Sequence, residues 1–377
     1  MKLRIPRPLS RALLVLGATL GTLLVLEATV RVFHIGSIPK PYGEGVYGRE
    51  SANEILEYEY IPGAVHRRYY QRSWDSAPVV AVHTIGPHGF RGTDFPAAKA
   101  PGTLRIACLG DSMTFGRGVN DGETWPARLQ AELAARLAVP VEVWNCGMEG
   151  SQTREQFLLL RERVLGFDPD VVLLGYFIND VACGRLPPRS KVVGATTNAI
   201  VGLLRPQPSD GFLARSIDTL CDVSELFRVG YDRVARRYDG EVSNAVYTAA
   251  YVRDVGGWRQ VKRALEDIQL LLGEHDVPFG VVLLPLMARQ GEALASHEAY
   301  GVFAAFCAEQ GIPVCDPEPL FADRDPRRLT VHPMDHHLNA DAYRVVGAAV
   351  AEFLSREALL PAFAAPAPPV EHDGSGG

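Results

Sequence analysis

Apolar residues recur along the chain with two different periods. Five short and nearly continuous apolar runs are typical of strands that are covered on both faces. They lie at 104–109, 141–144, 171–177, 277–286 and 312–315. Between and after these runs, apolar residues spaced three and four positions apart predict amphipathic helices. The predicted helices lie at 124–137, 151–165, 257–272, 297–310 and 340–354.

Strands that alternate with helices in this way predict an α/β fold with a mostly parallel sheet and right-handed crossovers. In such sheets a functional site forms beyond the carboxyl ends of the strands. Residues that carry chemistry should therefore stand directly after the apolar runs.

The N-terminus has the pattern of a membrane-targeting segment. Four basic residues precede an apolar run at 12–26, and Glu27 and Arg31 follow within a further apolar stretch. We interpret residues 1–34 as a cytoplasmic basic flank and a single-pass signal-anchor helix, because no clear cleavage site follows the run. The basic side should stay in the cytoplasm, which places the remaining chain outside it. The alternative is a cleaved signal peptide and a secreted protein.

The rest of the chain divides by pattern. Residues 35–100 lack helical periodicity and are predicted to form a juxtamembrane segment with short strands that packs on the main domain. The main domain is expected at 101–358, with an insertion at about 184–250 that could cover the site. The tail at 359–377 is rich in Ala, Pro and Gly and is predicted to be disordered.

Composition excludes some classes of function. The formal net charge is −6, and no long basic run follows the N-terminal flank, so nothing favours a nucleic-acid partner. The six cysteines are scattered without the spacing of zinc ligands. They are interpreted mainly as small buried core residues.

Three predicted strands end in residues that suit catalysis. Gly110-Asp111-Ser112 follows the first strand, where a serine in a tight strand-to-helix turn exposes its hydroxyl above the sheet. Gly147 follows the second strand, and Asn179 and Asp180 follow the third. Taken singly, each has a plainer interpretation as a turn residue or a helix cap.

A loop before the last predicted helix contains His332, Asp335, His336 and His337. A metal site is one interpretation, but no second cluster of ligands accompanies the loop, so no metal and no cofactor are predicted. Alternate residues of an extended segment point to the same side. Asp335 and His337 can therefore act together, while His336 points away.

Together these blocks resemble the SGNH/GDSL hydrolase superfamily over roughly 104–354. The resemblance implies a three-layer α/β/α sandwich of the flavodoxin-like type with a mostly parallel five-stranded sheet. It also implies a catalytic triad in which Ser112 is the nucleophile, His337 the base and Asp335 the carboxylate that orients it. Two positions depart from the usual blocks: Phe177 replaces a glycine, and Met334 stands where the aspartate is normally found.

The same resemblance implies an oxyanion hole formed by the N–H groups of Ser112 and Gly147 and the side-chain amide of Asn179. Asp111 and Asp180 are expected to support it. The segment 88–92, His-Gly-Phe-Arg-Gly, is also similar to single-span, outward-facing bacterial members, some linked to polysaccharide modification.

The expected function is that of an extracytoplasmic serine esterase acting on an acyl ester of a glycan, a lipid or a small molecule. An O-acyltransferase of the same fold, acting on cell-surface polysaccharide, is the first alternative, since the same acyl-enzyme can pass its acyl group to water or to a sugar. A non-catalytic scaffold protein of the cell envelope is the second. Turnover of an aryl acetate separates the enzymes from the scaffold, and dependence on an acceptor separates the two enzymes.

Overall fold

The structure is a computed structural model. It describes residues 7–53, 56, 58–92, 95–182, 211–252, 256–290, 293–294, 296–333 and 335–363. Of the predicted insertion, residues 184–210 lie outside this range, as do residues 364–377 of the predicted tail.

The chain begins with a long apolar helix, α1 (Arg7–Phe33). Its segment Ser10–Phe33 has 24 residues and a mean hydropathy of 2.0, and only 6% of its most apolar window is buried in the protein. Twenty-four helical residues extend about 36 Å, which is enough to cross the hydrocarbon core of a bilayer. A signal sequence has the same length and composition, so this helix is a candidate for either a membrane span or a signal sequence.

Five short strands follow α1. They are β1 (Tyr42–Glu44), β2 (Gly48–Glu50), β3 (Tyr58–Tyr60), β4 (Val65–Tyr70) and β5 (Val79–Thr84). The antiparallel strands β1, β4 and β5 form one sheet, and β2 pairs with β3. We call residues 42–84 the N-terminal sheet region. The region packs on the main domain, where Tyr60 contacts Phe115 with their ring centroids 5.0 Å apart.

The main domain alternates strands and helices. In chain order they are β6 (Leu104–Gly110), α2 (Ser112–Phe115), α3 (Trp125–Arg136), β7 (Val141–Gly147), α4 (Thr153–Glu162), β8 (Val171–Tyr176), α5 (Gly211–Val223), α6 (Glu225–Val252), α7 (Gly256–Gly273), β9 (Phe279–Leu283), β10 (Arg289–Gln290), β11 (Ala293–Leu294), α8 (His297–Glu309), β12 (Val314–Cys315), β13 (Thr330–His332), β14 (Asp335–Leu338) and α9 (Ala340–Arg356).

The central sheet has five parallel strands in the order β12-β9-β8-β6-β7. Successive side chains of each strand enter different apolar cores. Leu109 and Leu174 pack with α4, α7 and α8 on one face, while Cys108 and Leu173 pack with α3 and α9 on the other. The predicted three-layer sandwich with a parallel five-stranded sheet is confirmed.

Several boundaries differ from the prediction. The predicted helix at 151–165 ends at Glu162, and a 3₁₀ turn Val164–Phe167 follows it. The described part of the insertion forms α5 and α6, and α6 continues past residue 250 into the core through Ala250 and Tyr251. The last helix is followed by Leu359, which is buried in the core beside α9, so the packed domain extends beyond residue 358.

Candidate active site

The turn after β6 presents Ser112. Gly110 has φ +146°, and a Cβ at this position would lie 2.6 Å from the carbonyl oxygen of Gly175 on the neighbouring strand, so only glycine fits. The Asp111 carboxylate accepts a hydrogen bond from the Met113 N–H at 2.8 Å and caps the single turn of α2. Ser112 is the first residue of that turn and stands at the carboxyl edge of the sheet.

His337 and Asp335 reach this serine from β14. The distance from His337 Nε2 to Ser112 Oγ is 2.7 Å. On the other side of the ring, His337 Nδ1 makes a short hydrogen bond with Asp335 Oδ1. The Asp335 carboxylate also accepts from the His337 backbone N–H at 3.2 Å. The structure thus brings the three residues of the expected triad into one hydrogen-bonded chain.

The hairpin of β13 and β14 determines which histidine faces the serine. Asp335 and His337 lie on one side of β14, and His336 between them is exposed. His332 is buried on β13, and its Nε2 lies 3.0 Å from the carbonyl oxygen of Gln71. Asn339 then caps α9 by accepting from the Ala342 N–H at 3.1 Å, which ends the hairpin directly after the catalytic segment.

Asp335 has a further partner that the sequence did not indicate. Tyr70, at the end of β4, donates its hydroxyl to Asp335 Oδ2 at 3.2 Å. Burial alone would raise the pKa of Asp335, but the hydrogen bonds and charge of His337 and the charge of Arg117 hold it well below its usual range. The carboxylate is therefore ionised and available to stabilise an imidazolium.

Arg91 holds the far end of the nucleophile helix. Its buried guanidinium donates to the carbonyl oxygens of Phe115, Gly116 (2.6 Å) and Val119. It also pairs with the Asp121 carboxylate at 3.0 Å. These carbonyls lie at the end of a helix of only four residues and directly after it, so Arg91 fixes where the turn ends and hence where Ser112 stands.

Two of the expected oxyanion donors, Asn179 and Gly147, differ in the hydrogen bonds that they already make. Asn179 lies in a 3₁₀ turn, Ile178–Ala182, after β8, and its side chain interacts with Asp111 beside the nucleophile. The Gly147 N–H already donates to the Asn145 side chain at 3.1 Å. In the same loop, Gly150 has φ +80°, and its N–H has no acceptor among the described residues.

Two buried carboxyl groups flank the oxyanion region. Burial raises the pKa of Asp111, while the Met113 N–H, the charge of His337 and the Asn179 side chain act in the opposite direction. Burial, followed by the charge of Asp111, raises the pKa of Asp180. Thr153 Oγ1 donates to Asp180 at 2.7 Å, which ties the start of α4 to the end of β8.

A cavity of about 360 Å³ adjoins this edge of the sheet. Its lining includes Gly150 and Ser151, together with Tyr58 from the N-terminal sheet region. Ser151 Oγ lies 3.3 Å from the carbonyl oxygen of Gly110, which directly precedes the nucleophile turn. Its lining does not include Ser112, but the loop that carries Gly150 and Ser151 connects the cavity to the turn that presents Ser112.

The described residues contain no group of three or more His, Cys, Asp or Glu side chains arranged to hold a metal ion. Of the cysteines, Cys108, Cys146, Cys307 and Cys315 are buried free thiols in the core. Cys183 lies outside the part of the chain that the structure describes.

A serine-histidine-carboxylate chain at the carboxyl edge of a parallel sheet is an arrangement typical of serine hydrolases. The GDSL-like lipase/acylhydrolase family matches residues 108–345, which is more than half of the chain, and the chain belongs to this family. It is accordingly a hydrolase that acts on ester bonds. No match to a curated protein was found.

Solved structures with a related fold come from several bacteria. A putative lipolytic protein of the G-D-S-L family from Desulfitobacterium hafniense is 14% identical and covers 67% of this chain and 99% of its own, with a TM-score of 0.39. A lipase/acylhydrolase from Enterococcus faecalis is 17% identical over 67% of this chain and 96% of its own, with a TM-score of 0.40. An acetylxylan esterase from Geobacillus stearothermophilus is 12% identical over 67% and 94%, with a TM-score of 0.38.

Sequence reasoning assigned no role to Tyr70, Arg91 or Asn145. Arg91 lies in the 88–92 motif, and Asn145 directly follows an apolar run. A polar residue next to a segment predicted to be buried was the one sequence signal that pointed to Asn145. Asn145 connects the Gly147 N–H with the carbonyl oxygen of Thr114 in the nucleophile helix, at 3.1 and 2.9 Å. No local pattern marks Tyr70, because its partner lies 265 positions away.

Proposed function

We propose that this protein is a membrane-anchored serine esterase that hydrolyses an acyl ester of a glycan or a lipid outside the cytoplasm. The observation that carries the proposal is the hydrogen-bonded chain from Ser112 Oγ through His337 to Asp335. Serine is a weak nucleophile at neutral pH and needs a base within hydrogen-bond reach. His337 Nε2, 2.7 Å from Ser112 Oγ, supplies one.

In the proposed mechanism, His337 takes the Ser112 proton as Oγ attacks the ester carbonyl. The alcohol leaves with that proton, and an acyl group remains on Ser112. A water molecule, deprotonated by the same imidazole, then attacks the acyl-enzyme and releases the carboxylic acid. Asp335 stays ionised throughout and stabilises the imidazolium.

The negative charge on the ester oxygen needs donors at the carboxyl edge. We propose the Ser112 N–H and the Asn179 side-chain amide as two of them. For the third, Gly150 is favoured over the predicted Gly147, because the Gly147 N–H is already bound to Asn145. Each such donor is typically worth ~10²–10³ in turnover.

Contacts at the outer end of α1 support an anchor that is retained. The Glu27 carboxylate accepts from the backbone N–H groups of Glu225 and Leu226, at 2.9 and 3.0 Å, and from Ser224 Oγ at 2.8 Å. The two N–H groups are unpaired donors at the N-terminus of α6, and Ser224 directly precedes the helix. Cleavage after α1 would remove this cap, so we propose a single-pass membrane protein with its basic flank in the cytoplasm.

The full-length protein, purified in detergent, should hydrolyse an aryl acetate. Ser112→Ala should lower kcat by at least ~10³, since loss of the nucleophile removes the acyl-enzyme route. Ser355→Ala is the matched control, because Ser355 is exposed on α9 and its Oγ donates to the Ala351 carbonyl of the same helix, and it should keep wild-type turnover.

Product analysis tests the acceptor. With an added oligosaccharide, free acetate should remain the main product. Stoichiometric acetylation of the sugar would show that the protein is an O-acyltransferase and not an esterase. Equal turnover by wild type and Ser112→Ala would refute the proposed site.

A further inference from the structure

The outer end of α1 is attached to the N-terminal sheet region through Trp74. The Trp74 ring stacks on His34, with ring centroids 4.1 Å apart, and its Nε1 donates to Ser37 Oγ at 2.8 Å. Both partners lie within four residues of Phe33, where the apolar helix ends. A tryptophan at this level is typical of the membrane–water interface, where its ring can be apolar and its N–H hydrated.

The same end of α1 is attached to the insertion helices. Glu27 caps α6, as described above, and Arg31 Nη2 donates to the carbonyl oxygen of Val223, the last residue of α5, at 2.9 Å. Val30, in the same turn of α1, is buried. Both flanks of the α5–α6 junction thus bond to one turn of α1, so a membrane crossed by α1 would have its surface close to this junction.

This junction exposes apolar side chains that the protein does not cover. Leu220 and Val223 are exposed on α5, and Phe227 is exposed on the first turn of α6. They lie within four residues of the backbone groups that bind Glu27 and Arg31, and the last residues of α1, Val32 and Phe33, are exposed as well. Exposed apolar side chains beside the end of a candidate span are suited to contact with lipid.

Charged groups of both signs adjoin this surface. A cavity of about 350 Å³ next to it is lined by Trp74, by the cations Arg31, Lys40 and Arg228 and by the carboxylates Asp222 and Glu225. Charged side chains beside apolar and tryptophan side chains are suited to the headgroup layer of a membrane, where polar and apolar groups meet.

We propose that the face formed by Trp74, Leu220, Val223 and Phe227 docks on the outer surface of the lipid bilayer and holds the catalytic domain against it. The inference rests on the proposal that α1 stays in the membrane. Tyr70, which bonds to the catalytic Asp335, precedes Trp74 by only four residues, a chain length of at most about 14 Å. Docking therefore places the triad close to the membrane surface, where esters of lipids or of lipid-linked glycans are within reach.

The test uses the full chain reconstituted in vesicles of anionic and zwitterionic lipid, with or without brominated acyl chains that quench nearby tryptophan. Val223→Trp should add emission that the brominated lipid removes. Leu270→Trp is the control: the two positions are 62% and 67% exposed, but Leu270 lies near the end of α7 that leads into the amino end of β9, opposite the catalytic edge. Its added emission should survive in brominated lipid.

Flotation of the vesicles after an alkaline wash separates the two proposals. If the chain floats and the added emission of Val223→Trp is as resistant to quenching as that of Leu270→Trp, the docking proposal is wrong and the anchor stands. If the chain is stripped from the vesicles, the anchor is wrong and the docking fails with it. Aryl acetate turnover equal to wild type verifies that both variants are folded.

Discussion

At the scale of single residues, the proposed mechanism depends on how His337 is held between Ser112 and Asp335. The spacing of Asp335 and His337 on an extended strand was readable from the sequence, because alternate residues of a strand share a side. The structure adds the reason why His336 is unsuited to the role: it lies on the exposed side of β14. His332 is unsuited for a different reason, since its Nε2 is directed at the Gln71 carbonyl.

We therefore expect His337→Ala to lower kcat for an aryl acetate by at least ~10³, as loss of the base does in triad enzymes. His336→Ala should keep nearly full turnover. His332→Ala should lower thermal stability, because it leaves a cavity in the core, but should retain most of kcat where it is folded. Asp335→Asn should fall between these results. An inactive His336→Ala beside an active His337→Ala would show that the assigned base is wrong.

Tyr70 lies outside what a sequence pattern can identify, because its contact with Asp335 joins two regions 265 positions apart. A hydrogen bond to a charged group contributes about 1.5–3 kcal/mol. Tyr70→Phe should accordingly lower kcat roughly 10-fold with little change in KM, since the hydroxyl holds the carboxylate that orients the base.

Tyr69→Phe is the matched control for this substitution. Tyr69 is the neighbouring residue of β4, and its hydroxyl donates to Glu44 at 2.9 Å, away from the site. Its loss should leave the steady-state parameters unchanged. Equal effects of the two substitutions would mean that Tyr70 acts only through the stability of the N-terminal sheet region.

At the scale of elements, the helix α2 that begins with Ser112 depends most on contacts with other parts of the chain. A single helical turn is unstable on its own, because nucleation fixes several residues for one hydrogen bond. The sequence predicted a strand-to-helix turn at Ser112, but it did not predict what fixes that turn. The structure supplies Asp111 at its start and Arg91 at its end.

Arg91→Lys should therefore disturb catalysis through position rather than charge. A lysine keeps the cation but cannot donate to three carbonyls and a carboxylate at once. We expect kcat to fall by at least ~10-fold and the free energy of unfolding to fall by roughly 2–4 kcal/mol. The kinetics should be measured at a temperature where the variant is fully folded, by circular dichroism.

Arg136→Lys is the control for Arg91→Lys, because Arg136 forms an exposed pair with Glu132 within α3. Such pairs contribute little, so both kcat and stability should stay near wild type. If folded Arg91→Lys keeps wild-type kcat, Arg91 stabilises the domain without positioning Ser112.

The other elements differ in how far the sequence could predict them. The strands and helices of the sandwich followed from their apolar periods, because both faces of the sheet are covered. The insertion was harder: the sequence predicted a segment at about 184–250 without assigning helices to it, whereas α6 runs from Glu225 to Val252. Its length depends on contacts at its two ends, the Glu27 cap and the Tyr251–Tyr176 hydrogen bond of 2.6 Å.

At the scale of the whole molecule, the order of the strands in the sheet brings the residues of the candidate site together. Strands β6, β8 and β7 are neighbours, so the turns that carry Ser112, Asn179 and Gly150 meet at one edge although they are distant in sequence. Predicting this convergence needed only the rule for parallel sheets. The attachment of that edge to α1 through Trp74 and α6 could not be predicted, because it depends on long-range contacts of segments with weak patterns.

The most direct test of the account is covalent labelling of the full-length protein with a fluorophosphonate, followed by mass spectrometry of the peptides. We expect one adduct, on Ser112, that is absent from Ser112→Ala and forms much more slowly in His337→Ala. Labelling that persists unchanged in Ser112→Ala, or an adduct on another residue in its place, would contradict the claim that this serine is the nucleophile.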